Sequence, residues 1–169
     1  VSTKFFMTLT NGIQQLVAGI TSSAGAGDAD KLIATDSSGK LDSTFLPVGV
    51  GADTVSVEAS ENLAAGDFVN IHDSTGAKVR KADASNTRPA HGFVLASVTS
   101  GQNATVYLSG RNTGLSGLTI GARYHLSAAT AGTAVSTAPS ASGNISQYLG
   151  TADSATSLQF EDNGYIDIA

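Results

Sequence analysis

The chain has 169 residues and a net charge of −5, and 83 of its residues are Ala, Ser, Thr or Gly. A hydrophobic content of 41 % excludes a charge-driven disordered chain, and the acidic balance argues against a nucleic-acid binder, whose phosphate contacts require a basic face. The lack of cysteine excludes disulfides, thiolate metal sites and a cysteine nucleophile. Only 6 % of residues are aromatic and much of the hydrophobic fraction is alanine, so apolar area per residue is low. Oligomerisation is the expected route to stability for such a core.

Chain order begins with an apolar start, Phe5, Phe6 and Leu9, followed by Ile13, Leu16, Val17 and Ile20 at helical spacing. Asn11, Gln14 and Gln15 interrupt the continuous apolar run of a secretory signal, so a targeting segment is not expected here. No apolar run approaches the roughly 18 residues of a transmembrane helix. Residues 21–30, rich in Ser, Ala and Gly, read as loop. In the next stretch Leu32, Ile33 and Leu41 flank Asp36-Ser37-Ser38-Gly39, whose order suits a type I turn. Pro47, Gly49 and Gly51 then predict a hinge at 47–52. The expected organisation is an arm over 1–48 and a β domain over 52–169.

From Thr54 onward apolar β-formers alternate with polar residues, and turns recur about every eight to twelve positions. Strands are expected near 54–58, 67–72, 77–82, 91–98, 103–109, 123–127, 145–151, 157–161 and 164–168. The fold class predicted is mainly β, an antiparallel β-sandwich or barrel with an extended N-terminal arm. Asp73-Ser74-Thr75-Gly76 and Ser100-Gly101-Gln102-Asn103 read as hairpin turns. Asp162-Asn163-Gly164, between Phe160 and Ile166, carries the Asn-Gly pair of a tight primed turn and is the strongest hairpin signal. Leu63-Ala64-Ala65-Gly66 and Leu118-Thr119-Ile120-Gly121 echo each other, each placing a Gly where a type II turn needs positive φ before a strand.

Candidate chemistry is sparse. Gly25-Ala26-Gly27 lacks the third glycine and the feeding strand of a dinucleotide turn, and Ser38-Gly39-Lys40 lacks the upstream glycine of a phosphate loop. His72, His91 and His125 fall on different predicted strands without partner histidines, which suits solvated or threefold-clustered side chains better than a composite metal site. Asp28 and Asp30 have a calcium loop's alternate spacing without its glycine and distal glutamate. No carboxylate pair stands out among Glu58, Glu61 and Glu161, and Ser109-Gly110 and Ser116-Gly117 are simple turn dipeptides rather than nucleophile elbows. The sequence therefore predicts neither an enzyme nor a bound cofactor. Lys78, Arg80, Lys81 and Arg88 form a basic cluster, and Glu161, Asp162 and Asp167 an acidic end. These could meet between subunits, or the basic cluster could be a solvated strand edge that resists aggregation.

Three stretches carry a resemblance: Asp30 to Pro47, Gly49 to Thr54, and Glu61 to Val69 together with Lys78-Val79-Arg80-Lys81-Ala82 and His91-Gly92-Phe93-Val94. Together they resemble the capsid cement or decoration (head-fibre) proteins on the virion surface of tailed bacteriophages, over roughly residues 25–160; the first stretch is also similar to a segment of tail fibres. The resemblance implies a homotrimer whose arm is held against the major capsid protein, on the virion surface after assembly in the host cytoplasm. No nucleic-acid or membrane partner is expected. The residues expected to make the capsid and trimer contacts are Phe5, Phe6, Leu9, Ile13, Leu16, Leu32, Ile33, Phe45 and Leu46. Burial of five such side chains offers several kcal/mol before ordering costs. The alternative from another class is a tail-fibre or adaptor protein in host receptor recognition.

Overall fold

A computed structural model describes residues 5–10, 12–46 and 51–169, and it is mainly β. The chain divides into two units, Val1–Gly51 and Ala52–Ala169. Most of the expected hinge, residues 47–50, lies outside the described residues.

In the first unit β1 (Phe5–Thr10) and β2 (Ile13–Ala18) form an antiparallel hairpin. This corrects the helical reading of Ile13, Leu16, Val17 and Ile20. Thr10 stands opposite Ile13, and Gly12 has φ +79°. The sequence Asn-Gly at this point is a hairpin signal, and the branched side chains of Ile13 and Val17 suit a strand. Beyond β2, Ile20 forms a parallel bridge with Ile33, and the side chains of Phe6 and Ala34 both crowd Gly19. The expected turn at Asp36–Gly39 is present, with the Gly39 N–H donating to the Asp36 carbonyl at 3.2 Å.

The second unit contains a closed barrel of β3 (Thr54–Ala59), β4 (Phe68–Asp73), β5 (Ala77–Lys81), β6 (Gly92–Val94) and β7 (Asn103–Tyr107). Its order is β3-β5-β4-β6-β7, closed by β7 on β3. The β3–β5 pair is parallel, so the barrel is mixed rather than wholly antiparallel. A five-stranded sheet follows, with order β10-β9-β12-β13-β8, built from β8 (Gly110–Asn112), β9 (Arg123–Leu126), β10 (Ala134–Val135), β12 (Tyr148–Ser154) and β13 (Ser157–Phe160). Two short strands, β11 (Ile145–Ser146) and β14 (Ile166–Asp167), pair with each other.

Strand alternation sorts the core into two clusters. Val57, Ala59, Val69, Val79, Val94, Ala104 and Val106 fill the barrel with small and branched side chains. The alternate residues Phe68 and Phe93 face away from it, and Phe160 of β13 packs on both, with ring centroids 5.7 and 5.9 Å away. Tyr107 stacks on Phe93 at 5.4 Å. Leu126, Leu149 and Leu158 complete this second cluster between barrel and sheet. A composition poor in aromatics thus concentrates five of its ten, Phe68, Phe93, Tyr107, Tyr124 and Phe160, in one cluster.

Polar side chains also join barrel and sheet. Gln147, 1 % exposed, accepts from the Ala90 N–H at 2.7 Å and donates to the Ala90 carbonyl at 2.8 Å. Its amide thereby imitates one rung of a ladder. The buried Asn112 donates to the Gly66 carbonyl at 2.9 Å, where Gly66 and Gly114 approach so closely that a Cβ on Gly66 would lie 2.3 Å from the Gly114 oxygen.

Local turn signals and strand partners diverge at several points. Asp73–Gly76 closes the β4–β5 hairpin as expected. Gly66 and Gly121 take φ +92° and +79°, and each sits in a turn closed by an N–H to carbonyl bond, Asp67 to Ala64 and Ala122 to Thr119. The turn at Thr99–Gln102 exists, yet Val98 pairs with Leu63 while Val106 faces Val94. For that reason β6 stops at Val94 instead of running to 98. Asp162-Asn163-Gly164 is not a hairpin: β13 already has β12 and β8 on its two sides, so the returning chain pairs with β11. The expected strand at 145–151 is split at Gln147, and the short strands β8 and β10 carry no alternation that would mark them.

Candidate functional site

The hairpin of the first unit carries no charged residue between Phe5 and Ala18. Directly opposed residues of an antiparallel pair share a face. Phe5 stands opposite Ala18, Met7 opposite Leu16 and Leu9 opposite Gln14, so Phe5, Met7, Leu9 and Leu16 form one apolar face. These four are 58, 67, 70 and 70 % exposed. The opposite face places Phe6 against Val17, and the Phe6 ring lies against Gly19, which the Ala34 side chain also approaches within the same unit. Ala34 is the one buried apolar residue among the described residues of this unit. One face of the hairpin is thus partly covered from inside the unit and the other is bare.

Of the contact residues expected from sequence, the structure brings Phe5, Leu9 and Leu16 onto the bare face. Phe6 is on the other face, and exposed Ile13 lies at the turn end, opposite Thr10. Leu32 and Ile33 lie beside the continuation of β2, through Ile20 N–H to Leu32 carbonyl and Ala34 N–H to Ile20 carbonyl bonds of 2.9 and 2.8 Å. Phe45 is half-buried and Leu46 exposed at a short 3-10 turn, Ser43–Phe45, capped by Asp42. The Ser23 N–H donates to Thr44 Oγ1 at 2.8 Å, which ties that turn to the preceding loop. Met7 was missed by sequence reasoning, although the alternation Phe5, Met7, Leu9 carried the signal.

A two-stranded ribbon is marginal in water by itself, and edge strands in water normally carry lysine or proline to block pairing. This ribbon has neither between Phe5 and Ala18. Covering the bare face would remove its apolar area from water at about 25 cal/mol per Å².

Polar groups of the second unit are largely consumed inside it. Lys78 Nζ lies 2.6 Å from Glu58, Lys81 Nζ lies 3.2 Å from Asp67, and Arg80 donates to Asn70 at 3.0 Å. The basic cluster is therefore mostly paired within its own chain. The histidines are apart: His72 Nε2 meets Ser60 Oγ at 3.0 Å, and His91 Nδ1 accepts the Ile71 N–H at 3.0 Å. Among the described residues no three His, Cys, Asp or Glu side chains converge.

The outer face of the five-stranded sheet holds the remaining notable group. Arg123 lies over the Tyr148 ring at 5.4 Å, and His125 is 5.7 Å from the same ring. Burial, reinforced by the Arg123 charge, holds the His125 imidazole below its ordinary value, and His125 Nδ1 has no hydrogen-bond partner. Asp153 is held below the usual carboxylate range by the Ser157 hydroxyl and the Arg111 guanidinium, the latter 2.6 Å away.

No family model matches the chain, and no curated protein or solved structure matches it.

Proposed function

We propose that this protein is a structural component of a bacteriophage virion that binds the outer surface of the capsid as a trimer and stabilises the head lattice. The observation that carries the reading is the charge-free hairpin with Phe5, Met7, Leu9 and Leu16 bare on one face. Such a face suits attachment to a partner, and the resemblance of roughly residues 25–160 to capsid cement and head-fibre proteins supplies the partner. In this reading the extended N-terminal arm reaches the major capsid protein and the mates of the trimer, while the β unit is displayed outward. Repetition over a lattice turns a modest apolar contact into firm attachment.

A ligand that favours the assembled lattice stabilises it by its differential binding free energy. Particles stripped of this protein should release DNA at lower temperature while adsorbing to cells normally. Intact heat resistance with lost adsorption would overturn the reading in favour of a receptor-binding fibre or adaptor. Copy number on a stained gel of purified particles separates the same two outcomes, hundreds for cement against a few to a few tens for a fibre.

A further inference from the structure

The loop between β13 and β14 holds a reactive arrangement that attachment does not use. Residues 161–167 are exposed. Within them the Gly164 N–H donates to Asp162 Oδ1 at 3.0 Å, and Asn163 Nδ2 donates to the Glu161 carbonyl at 3.1 Å. The same Asp162 oxygen lies 3.5 Å from Nε2 of Gln147, whose amide is anchored on Ala90 in the core. A carboxylate tethered from the core thus sits within general-base reach of one particular backbone N–H. That nitrogen is the one that can close a five-membered ring on the Asn163 side chain, and Gly164 has no Cβ to hinder it.

We propose that Asn163 is a self-modification site, where the Gly164 amide nitrogen attacks the Asn163 carboxamide and the Asp162 carboxylate takes the amide proton. The bond from Gly164 N to Asn163 Cγ forms and the Cγ–Nδ2 bond breaks. Nδ2 leaves as ammonia, carrying the proton relayed through Asp162. Water then opens the succinimide at either carbonyl, giving aspartate or isoaspartate, with no oxidant or reductant involved. The product adds a negative charge beside Glu161, Asp162 and Asp167. The isoaspartate form also lengthens the backbone just before β14, a short strand that pairs with β11 at Ile145–Asp167 and Ser146–Ile166 and continues in hydrogen bonds between Ile168 and residues 143 and 144.

The test incubates the full chain at neutral pH in ¹⁸O-labelled water and maps its peptides by mass spectrometry. Residue 163 should gain the label and yield both aspartate and isoaspartate. Asp162→Ala should slow conversion several-fold, and Gly164→Ala should slow it further, with melting curves confirming that each variant is folded. Asn11-Gly12, preceded by Thr10 rather than an acid, serves as the comparison within the same chain. An unconverted Asn163 beside a converted Asn11 would overturn the proposal. So would unlabelled product, product containing aspartate alone, or an Asp162→Ala rate equal to that of the parent.

Discussion

The two units use apolar residues in opposite ways. Ala52–Ala169 buries Phe68, Phe93 and Phe160 completely or nearly so and leaves four large apolar side chains exposed. The described residues of Val1–Gly51 expose ten and bury only Ala34 among their apolar residues. Fewer residues therefore present more apolar surface to water. The contrast teaches that a composition dominated by small residues can still build a self-sufficient β unit, provided its few aromatics meet at one seam. The arm's apolar residues are instead mostly exposed.

The contrast breaks most severely where the β unit has no space. A Cβ on Gly150 would lie 1.9 Å from the Gln159 carbonyl oxygen, at φ +148°, so Gly150→Ala should prevent the β12–β13 pairing and abolish cooperative melting. Phe160→Ala removes the ring that packs on Phe68 and Phe93, and should cost about 3–5 kcal/mol in a denaturant melt. Leu9→Ala, which removes a similarly apolar but exposed side chain, should leave the same melt within about 0.5 kcal/mol. Equal losses from both substitutions would erase the distinction between the units.

Gln147→Leu tests the polar half of the seam. It leaves the Ala90 N–H and carbonyl without their partner, each orphan costing about 1–3 kcal/mol. A loss confined to a few tenths would mean that water replaces the glutamine amide.

Acid should weaken the β unit through His125 before it reaches the carboxylates. The folded state holds His125 below its ordinary 6.5, so the unfolded chain takes up the proton first. The stability contributed by neutral His125 is complete above pH 6.5 and is lost as pH falls through the folded value. His125→Phe should flatten the melting temperature in that window, and a persistent decline would assign it to another group. The smallest expected effect is at Lys78–Glu58, a partly exposed pair: Lys78→Met should change stability by about 1 kcal/mol or less, less still in high salt.

Much of the β unit was legible because its strands alternate. Val55, Val57 and Ala59, then Val69 and Ile71, then Val79 set a period of two that marks β3, β4 and β5, and Gly66 and Gly121 announced their turns by position. What stayed hidden depends on partners far along the chain. Nothing local tells that β3 pairs in parallel with β5, that Gln147 binds Ala90, or that Gly164 leads to a strand paired with β11. The arm misled for a different reason. Ile13, Leu16, Val17 and Ile20 satisfy helical spacing, yet the neighbouring Asn11-Gly12 carries the same hairpin signal as Asn163-Gly164. Short apolar runs fit both periods, and only pairing decides. The apolar identity of the candidate contact residues was legible, but their sorting into a covered and a bare face required the hairpin register.

The central claim is that the bare face of the arm attaches this protein to particles while the β unit stands independently. It is tested most directly by adding the full chain, a chain lacking residues 1–20, and the Phe5→Asp and Leu9→Asp variants to stripped phage heads. Occupancy is measured alongside each protein's melting curve. The account predicts parent-like melting of the β unit in all four and loss of occupancy in the truncated and charged forms, because an unpaired carboxylate would have to be buried at the contact. Parent-level occupancy by the truncated chain and both variants would contradict it, and would move the attachment surface to residues 31–46 or to the β unit.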